Sequence, residues 1–440
     1  MYLRKFPIAI AKAQGIHVYD TEGREYLDCL QCAGTLALGH NHPVMVDAVM
    51  DFMQSGAPQQ TMDLVTPVKD DYVSALMEVT PPELDRIHFC SPAGTDALDA
   101  AVKLCKIATG RRTVLAFHGA YHGQGHGTMA MMGNLGPKTP VPSLMTDVHF
   151  VPYPYSLRNP FGMRGYEGEA AVLAYLTTVL SDEESGIPKP ACLVMEAIQG
   201  EGGVNPMSSF ALREVRRITA EAGVPLVVDE VQAGFCRSGD FFAFQHGNRG
   251  APSGTPPICP DVMCVSKAAG GSFPLAAILY RQELDKWATG AHTGTFRGNQ
   301  IAFAAGTASI RYMQEERLWD RVSERGAQFV QGLHAIASKP STQGRIREIR
   351  GRGLMLGVEF TVPAHEQRVE VDVSGVPMPD GVLTDAVQLE SFRRGLLLAR
   401  GGRRGGVVRF LPPLTITEEE VDECLRVFGD AVEAAVAANP

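Results

Sequence analysis

The chain has 440 residues, 45% of them hydrophobic and 20% charged, the balance of a globular protein with a large core. Its net charge of −9 argues against nucleic acid as a partner, because a phosphate backbone calls for a basic face. No apolar run of about 18 residues occurs and Met1–Ile10 carries no long apolar stretch, so neither a membrane span nor a secretory signal is expected. A cytoplasmic protein is the expectation.

In chain order, the first elements are a hairpin: Gly15–Asp20, a turn at Glu22-Gly23, then Glu25–Asp28. Cys29 and Cys32 share C-x-x-C spacing, but no second pair follows. The nine cysteines are therefore expected to be buried reduced thiols, and no metal site is expected. Short β-branched runs then recur at Arg86–Cys90, Thr113–Phe117, Val148–Val151, Cys192–Glu196, Pro225–Asp229, Val262–Val265 and Ala276–Tyr280. Helical patterns at Asp96–Ala108, Gly168–Leu180 and Phe210–Ala222 lie between them, which predicts an α/β fold with a mainly parallel seven-stranded sheet. Only Ser266–Leu275 joins the sixth and seventh runs, too short for a parallel crossover, so the seventh strand should run antiparallel.

Helices are predicted over Gln300–Glu316 and Trp319–Ser338, strands over Leu354–Phe360 and Val407–Phe410, and a final helix from about Thr417 to Val436. Gly247–Pro260 and Pro363–Gly381 read as surface loops. The two chain ends are expected to form a smaller α/β lobe, residues 1–60 and 311–440, around a large domain of residues 61–310.

Two strand ends carry the chemistry. Asp229 closes the run Leu226-Val227-Val228, and Lys267 follows Val265-Ser266. A carboxylate and an amine at neighbouring ends of one sheet suit pyridoxal 5'-phosphate (PLP). The lysine would tether it as a Schiff base, and the aspartate would keep the pyridine nitrogen protonated so that the ring accepts electrons. A helix N-cap would explain Asp229 alone. Lys267 precedes Ala268-Ala269-Gly270-Gly271, which leaves room above it to shuttle a proton at the substrate carbon.

Other strand ends supply further candidates. Gly94 and Thr95 open a helix whose amides would cradle a phosphate, although an N-cap accounts for the same letters. In Phe117–Gly123, either Tyr121 or His122 would stack on a flat ring, with Tyr121 favoured. Gln232 would donate to the cofactor's phenolic oxygen. Thr295, in the loop His292–Asn299, offers a hydroxyl to a phosphate, or belongs to a solvated loop. Glu196 and Glu201 sit in a glycine-rich turn, solvated unless a cation meets them. Arg409, alone in the apolar strand Val407–Leu411, is such a cation and suits a substrate carboxylate.

Taken together, Gly94-Thr95, Tyr121-His122-Gly123, Asp229–Gln232, Ser266-Lys267, Thr295 and Arg409 resemble the class III (ω) aminotransferases of fold type I. Within them, Thr35–Pro43, Gly133–Lys138, Gly294–Gln300 and Val408–Pro413 are similar to diaminobutyrate–2-oxoglutarate aminotransferases. The resemblance implies a homodimer with shared active sites and Thr295 reaching the neighbouring chain's cofactor phosphate. It also implies a small-molecule amino donor, a 2-oxo acid acceptor, and a Glu201–Arg409 pair that opens when Arg409 must hold a carboxylate. Many members place an arginine where this chain has Gln124; Arg158 or a residue of the other subunit is a candidate to replace it. Another ω-aminotransferase, or an epimerase on the same scaffold, is the alternative. A PLP-binding regulator lacks its DNA-binding module here, and a dehydrogenase lacks G-x-G-x-x-G after its first strand.

Overall fold

The computed structural model describes residues 6–362 and 370–439. Its N-terminal hairpin is three-stranded: β1 (Ile10–Gln14), β2 (His17–Asp20) and β3 (Glu25–Asp28). Seven strands then build the main sheet: β4 (Arg86–Phe89), β5 (Val114–Phe117), β6 (Val148–Val151), β7 (Cys192–Met195), then, past the small hairpin β8 (Ile198–Gln199) and β9 (Asn205–Pro206), β10 (Leu226–Asp229), β11 (Val262–Val265) and β12 (Ala277–Tyr280). Their order is β4-β12-β11-β10-β7-β5-β6. β12 runs antiparallel to both neighbours, as its short connection demands, and the other strands share one direction.

Covering both faces makes the inner strands apolar throughout, while the edge strands β4 and β6 keep Arg86, His88 and His149 half-buried. Val227, Val262, Cys264 and Ile278 meet Leu98, Ala101 and Cys105 of the helix Gly94–Thr109. Val228, Met263 and Val265 point the other way, into a core with Leu176 of the helix Gly165–Ser181 and Leu212 and Val215 of Ser209–Glu221. Period-two alternation thus feeds two layers. Each large aliphatic side chain taken from water contributes about 1.5–3 kcal/mol.

Five further strands follow: β13 (Ile346–Arg352), β14 (Met355–Phe360), β15 (Leu396–Leu397), β16 (Ala399–Gly401) and β17 (Val407–Phe410). β15 pairs with β3, so residues from both chain ends share one sheet. The remaining four form a second sheet in the order β13-β14-β17-β16. β13 and the helices Pro43–Gln54, Pro67–Val79 and Gly381–Arg393 were not expected from the sequence. The helix Gly381–Arg393 buries Thr384, Gln388 and Ser391 beside Leu383 and Val387, so its inward stripe is not an apolar one. Within Gly247–Pro260 the first residues belong to a 3-10 turn, Ala243–Asn248. Of the expected loop Pro363–Gly381, residues 363–369 lie outside the described residues, and Gly381 begins a helix. Cys29 is buried but Cys32 is exposed, so the expectation of buried thiols fails at that position.

Candidate active site

Because β4, β5, β7, β10 and β11 run the same way, the segments after them gather at one edge of the sheet, the usual place for ligands in open α/β sheets. There they line a cavity of about 530 Å³ with Gly94, Thr95, Tyr121, His122, Glu196, Glu201, Asp229, Gln232 and Lys267 on its walls. Asp229 pairs in register with Cys264, which sets it beside the chain that leads on to Lys267.

Lys267 is held in the left-handed region at φ 48°, an uncommon conformation for a side-chain-bearing residue and one that collects at functional sites. Its amine makes no hydrogen bond or ion pair among the described residues. Burial pulls its pKa below the usual lysine range against the attraction of Asp229 and Glu201. A free, readily deprotonated amine facing a cavity is what covalent attachment of an aldehyde requires.

His122 has a definite partner. Its Nδ1 lies 2.8 Å from Asp229 Oδ2 and its side chain is fully buried, so it braces the aspartate. Burial lowers the imidazole pKa, but the bond to Asp229 and its charge outweigh that and leave it raised. Asp229 Oδ1 also accepts from the Val231 N–H at 3.0 Å. Tyr121 remains on the cavity wall, partly buried. Gly123 sits at φ 109°, and a Cβ there would approach Thr95 Cβ to 2.5 Å; the loop's close approach excludes a side chain.

At the other wall, the helix Gly94–Thr109 starts after Ala93, which supplies no side-chain cap. An N-cap therefore does not explain Thr95. Its hydroxyl contacts Thr128 Oγ1 at 2.6 Å and accepts from the Gly125 N–H at 3.1 Å, while Gly94 and Thr95, the helix's first residues, line the cavity. The Gln232 amide donates to Ala33 O at 3.1 Å, and its buried Oε1 has no partner. Uncapped helix amides, a free lysine and a braced carboxylate fit the phosphate, aldehyde and ring nitrogen of PLP; the Gln232 N–H expected to donate to the phenolic oxygen is instead given to Ala33 O.

Arg409 Nη2 pairs with Glu201 Oε1 at 2.7 Å, while its buried Nε and Nη1 have no partner. Arg158 does not face this cavity. It is buried between Glu359 and Asp372, donates to Pro377 O at 2.8 Å, and lines a separate 420 Å³ cavity. The idea that it replaces the missing arginine at Gln124 is therefore corrected. Thr295 is exposed at the start of a 3-10 turn and is absent from the cavity wall; the adjacent Phe296 is 60% exposed. Glu196, read as solvated, is buried on the cavity wall. Among the described residues, Cys90, Asp96 and His292 form one cluster of metal-ligand types. Both His292 nitrogens are already engaged there, by Asp96 at 3.1 Å and Lys103 at 3.0 Å.

A fold type I sheet with a lysine and an aspartate at adjacent strand ends defines a PLP-dependent transferase. The family model for aminotransferase class III matches residues 3–432, and the chain belongs to that family of PLP-dependent enzymes. It is 46% identical over 435 residues to the diaminobutyrate–2-oxoglutarate aminotransferase of Rhizobium meliloti, covering 98% of this chain and 89% of the relative. The Haemophilus influenzae enzyme of the same name is 45% identical, covering 99% and 92%. Among solved structures, a PLP-bound amine transaminase from an uncultivated Pseudomonas species aligns with TM-score 0.83 at 25% identity, covering 99% of this chain and 96% of that one. An ornithine aminotransferase from Toxoplasma gondii shares the fold at TM-score 0.82 and 24% identity, covering 100% and 93%.

Proposed function

We propose that the chain moves the terminal amino group between L-2,4-diaminobutyrate and aspartate 4-semialdehyde, with glutamate and 2-oxoglutarate as the other pair, in a ping-pong cycle. The Glu201–Arg409 pair at 2.7 Å, at the cavity that holds Lys267, carries this reading. One pocket must accept an amine-ended chain and then a diacid. With the diamine bound, Glu201 neutralises Arg409. With glutamate bound, the pair opens and the guanidinium holds the α-carboxylate through two parallel hydrogen bonds. The unpartnered Nε and Nη1 of Arg409 leave donors free for that task.

When bound, PLP supplies the electron sink that stabilises negative charge at the substrate carbon. Lys267 tethers it, and once displaced by substrate moves the proton at the amine-bearing carbon. Asp229, oriented by His122, would face the ring nitrogen; Tyr121 would stack on the ring; Gln232, with its carboxamide turned over, would donate to the phenolic oxygen; Gly94 and Thr95 would hold the phosphate. Thr295, exposed here, would serve the phosphate of a second copy, so the working unit is a homodimer in the cytoplasm with shared sites. No helix among the described residues is long and apolar enough to cross a membrane. We also divide the chain into residues 61–310 as the large domain and 1–60 with 311–440 as the small one.

The test is a panel of ω-amines (diaminobutyrate, ornithine, lysine, GABA, β-alanine), each given alone to the holoenzyme and scored by pyridoxamine phosphate formed. Diaminobutyrate should react fastest; a clear preference for another amine replaces this donor with that one.

A further inference from the structure

Glu196 directly follows β7, is 7% exposed, and has no ion-pair partner among the described residues. Its two oxygens are divided between distant loops: Oε1 accepts from the Tyr121 N–H at 3.0 Å, and Oε2 from the Gly200 N–H at 2.9 Å. Gly200 in turn leads into Glu201, and its carbonyl accepts from Gly203 and Val204, closing that turn. Behind this strand end, Tyr153 donates its hydroxyl toward the carbonyls of Glu196, Ala197 and Asn205. A carboxylate is the side chain that offers two acceptor oxygens and no donor, which is what two inward-facing N–H groups require. Its burial is costly, and burial pushes its pKa up to about 7, opposed by the neighbouring His122 and reinforced by Asp229. An amide would avoid that cost yet present a donor to one of the two N–H groups.

We propose that Glu196 is a positioning residue that sets the spacing between the Tyr121 ring and the Glu201–Arg409 gate, and through it the partition between amine-ended and diacid substrates. Resting on the function proposed above, this adds a residue of the cavity wall whose two oxygens are spent on backbone amides. One carboxylate links the surface on which the ring lies to the turn that decides whether Arg409 is neutralised. A shift at either end moves the gate relative to the ring, so it changes the two half-reactions unequally.

The experiment compares wild type, Glu196→Gln and Tyr153→Phe as holoenzymes. Amide hydrogen exchange is read at Tyr121 and Gly200, and single-turnover rates are measured with diaminobutyrate and with glutamate separately. Glu196→Gln should speed exchange at one of the two amides by about tenfold or more, the loss of one hydrogen bond to a charged acceptor. The ratio of the two half-reaction rates should move by a similar factor. Tyr153→Phe loosens the same strand end without touching the carboxylate and should leave that ratio within twofold. An unchanged ratio in Glu196→Gln overturns the proposal, as does an equal shift in Tyr153→Phe. If Glu196→Gln does not fold, Glu196→Asp carries the same comparison, since it keeps the charge but is too short to reach both amides. Wild-type inertness toward diaminobutyrate overturns the substrate reading alone; the ratio is then taken between glutamate and the best amine of the panel.

Discussion

His122 Nδ1 and Asp229 Oδ2 lie 2.8 Å apart in a fully buried contact between the loop after β5 and the end of β10. The imidazole fixes the orientation of the carboxylate that would meet the ring nitrogen, and supplies a counter-charge when that nitrogen is absent.

His122→Phe should therefore harm the apoprotein more than the holoenzyme. Leaving a buried carboxylate without its partner costs about 3–5 kcal/mol. The imidazole pKa is raised above its usual 6.5, so its stabilisation is fully present below pH 6.5 and fades as the pH rises through the folded value. Urea unfolding of the two apoproteins should show a steeper decline in wild type than in the variant, which keeps the loss contributed by Glu230. Parallel wild-type and variant curves across this range would remove the ion pair from the account.

Lys267→Ala should still bind PLP, because the helix amides and Asp229 remain, yet it should lose the absorbance of the lysine-linked cofactor and all measurable turnover. Retained turnover would defeat the assignment of the tether.

For the gate, Arg409→Ala should raise the KM for glutamate and 2-oxoglutarate by roughly 10–100-fold, the worth of a charge-assisted bidentate contact. Glu201→Ala should instead slow the diamine half-reaction, since an unneutralised guanidinium repels an amine-ended chain. Equal effects of both changes on both half-reactions would show that the pair does not sort substrates.

Glu230 follows Asp229, is buried, and accepts from the N–H groups of Ala243 and Phe244 at 2.8 and 2.9 Å. Burial pushes its pKa from 4.5 up to about 8, more than those bonds bring it down. The folded chain thus holds a proton that the unfolded chain has lost, so stability falls as the pH climbs from about 4.5 to 8. Glu230→Gln has no such titration. Its melting-temperature deficit relative to wild type should be largest near pH 5 and shrink toward pH 8; parallel curves would refute this.

The main sheet could be read from its letters because parallel strands covered on both faces must be apolar at every position, and Asp229 and Lys267 stood out as polar residues at the ends of such runs. The antiparallel β12 followed from the shortness of Ser266–Leu275. β13 was missed because its alternation is masked by charges that are satisfied internally: Arg350 pairs with Glu348 at 2.6 Å and Glu359 at 2.9 Å. Nothing local distinguishes Arg350 from a solvated arginine.

Composition, periodicity and the spacing of a few polar residues determined the layered α/β sheet and singled out Lys267 and Asp229 at its strand ends, because those features depend on neighbours along the chain. That His122 braces Asp229, that Arg158 is already taken by Glu359 and Asp372, and that Glu196 reaches the Tyr121 amide depended on partners tens to hundreds of residues away. A side chain's burial and hydrogen-bond partners are properties of the packed molecule, and only the tertiary structure decides them.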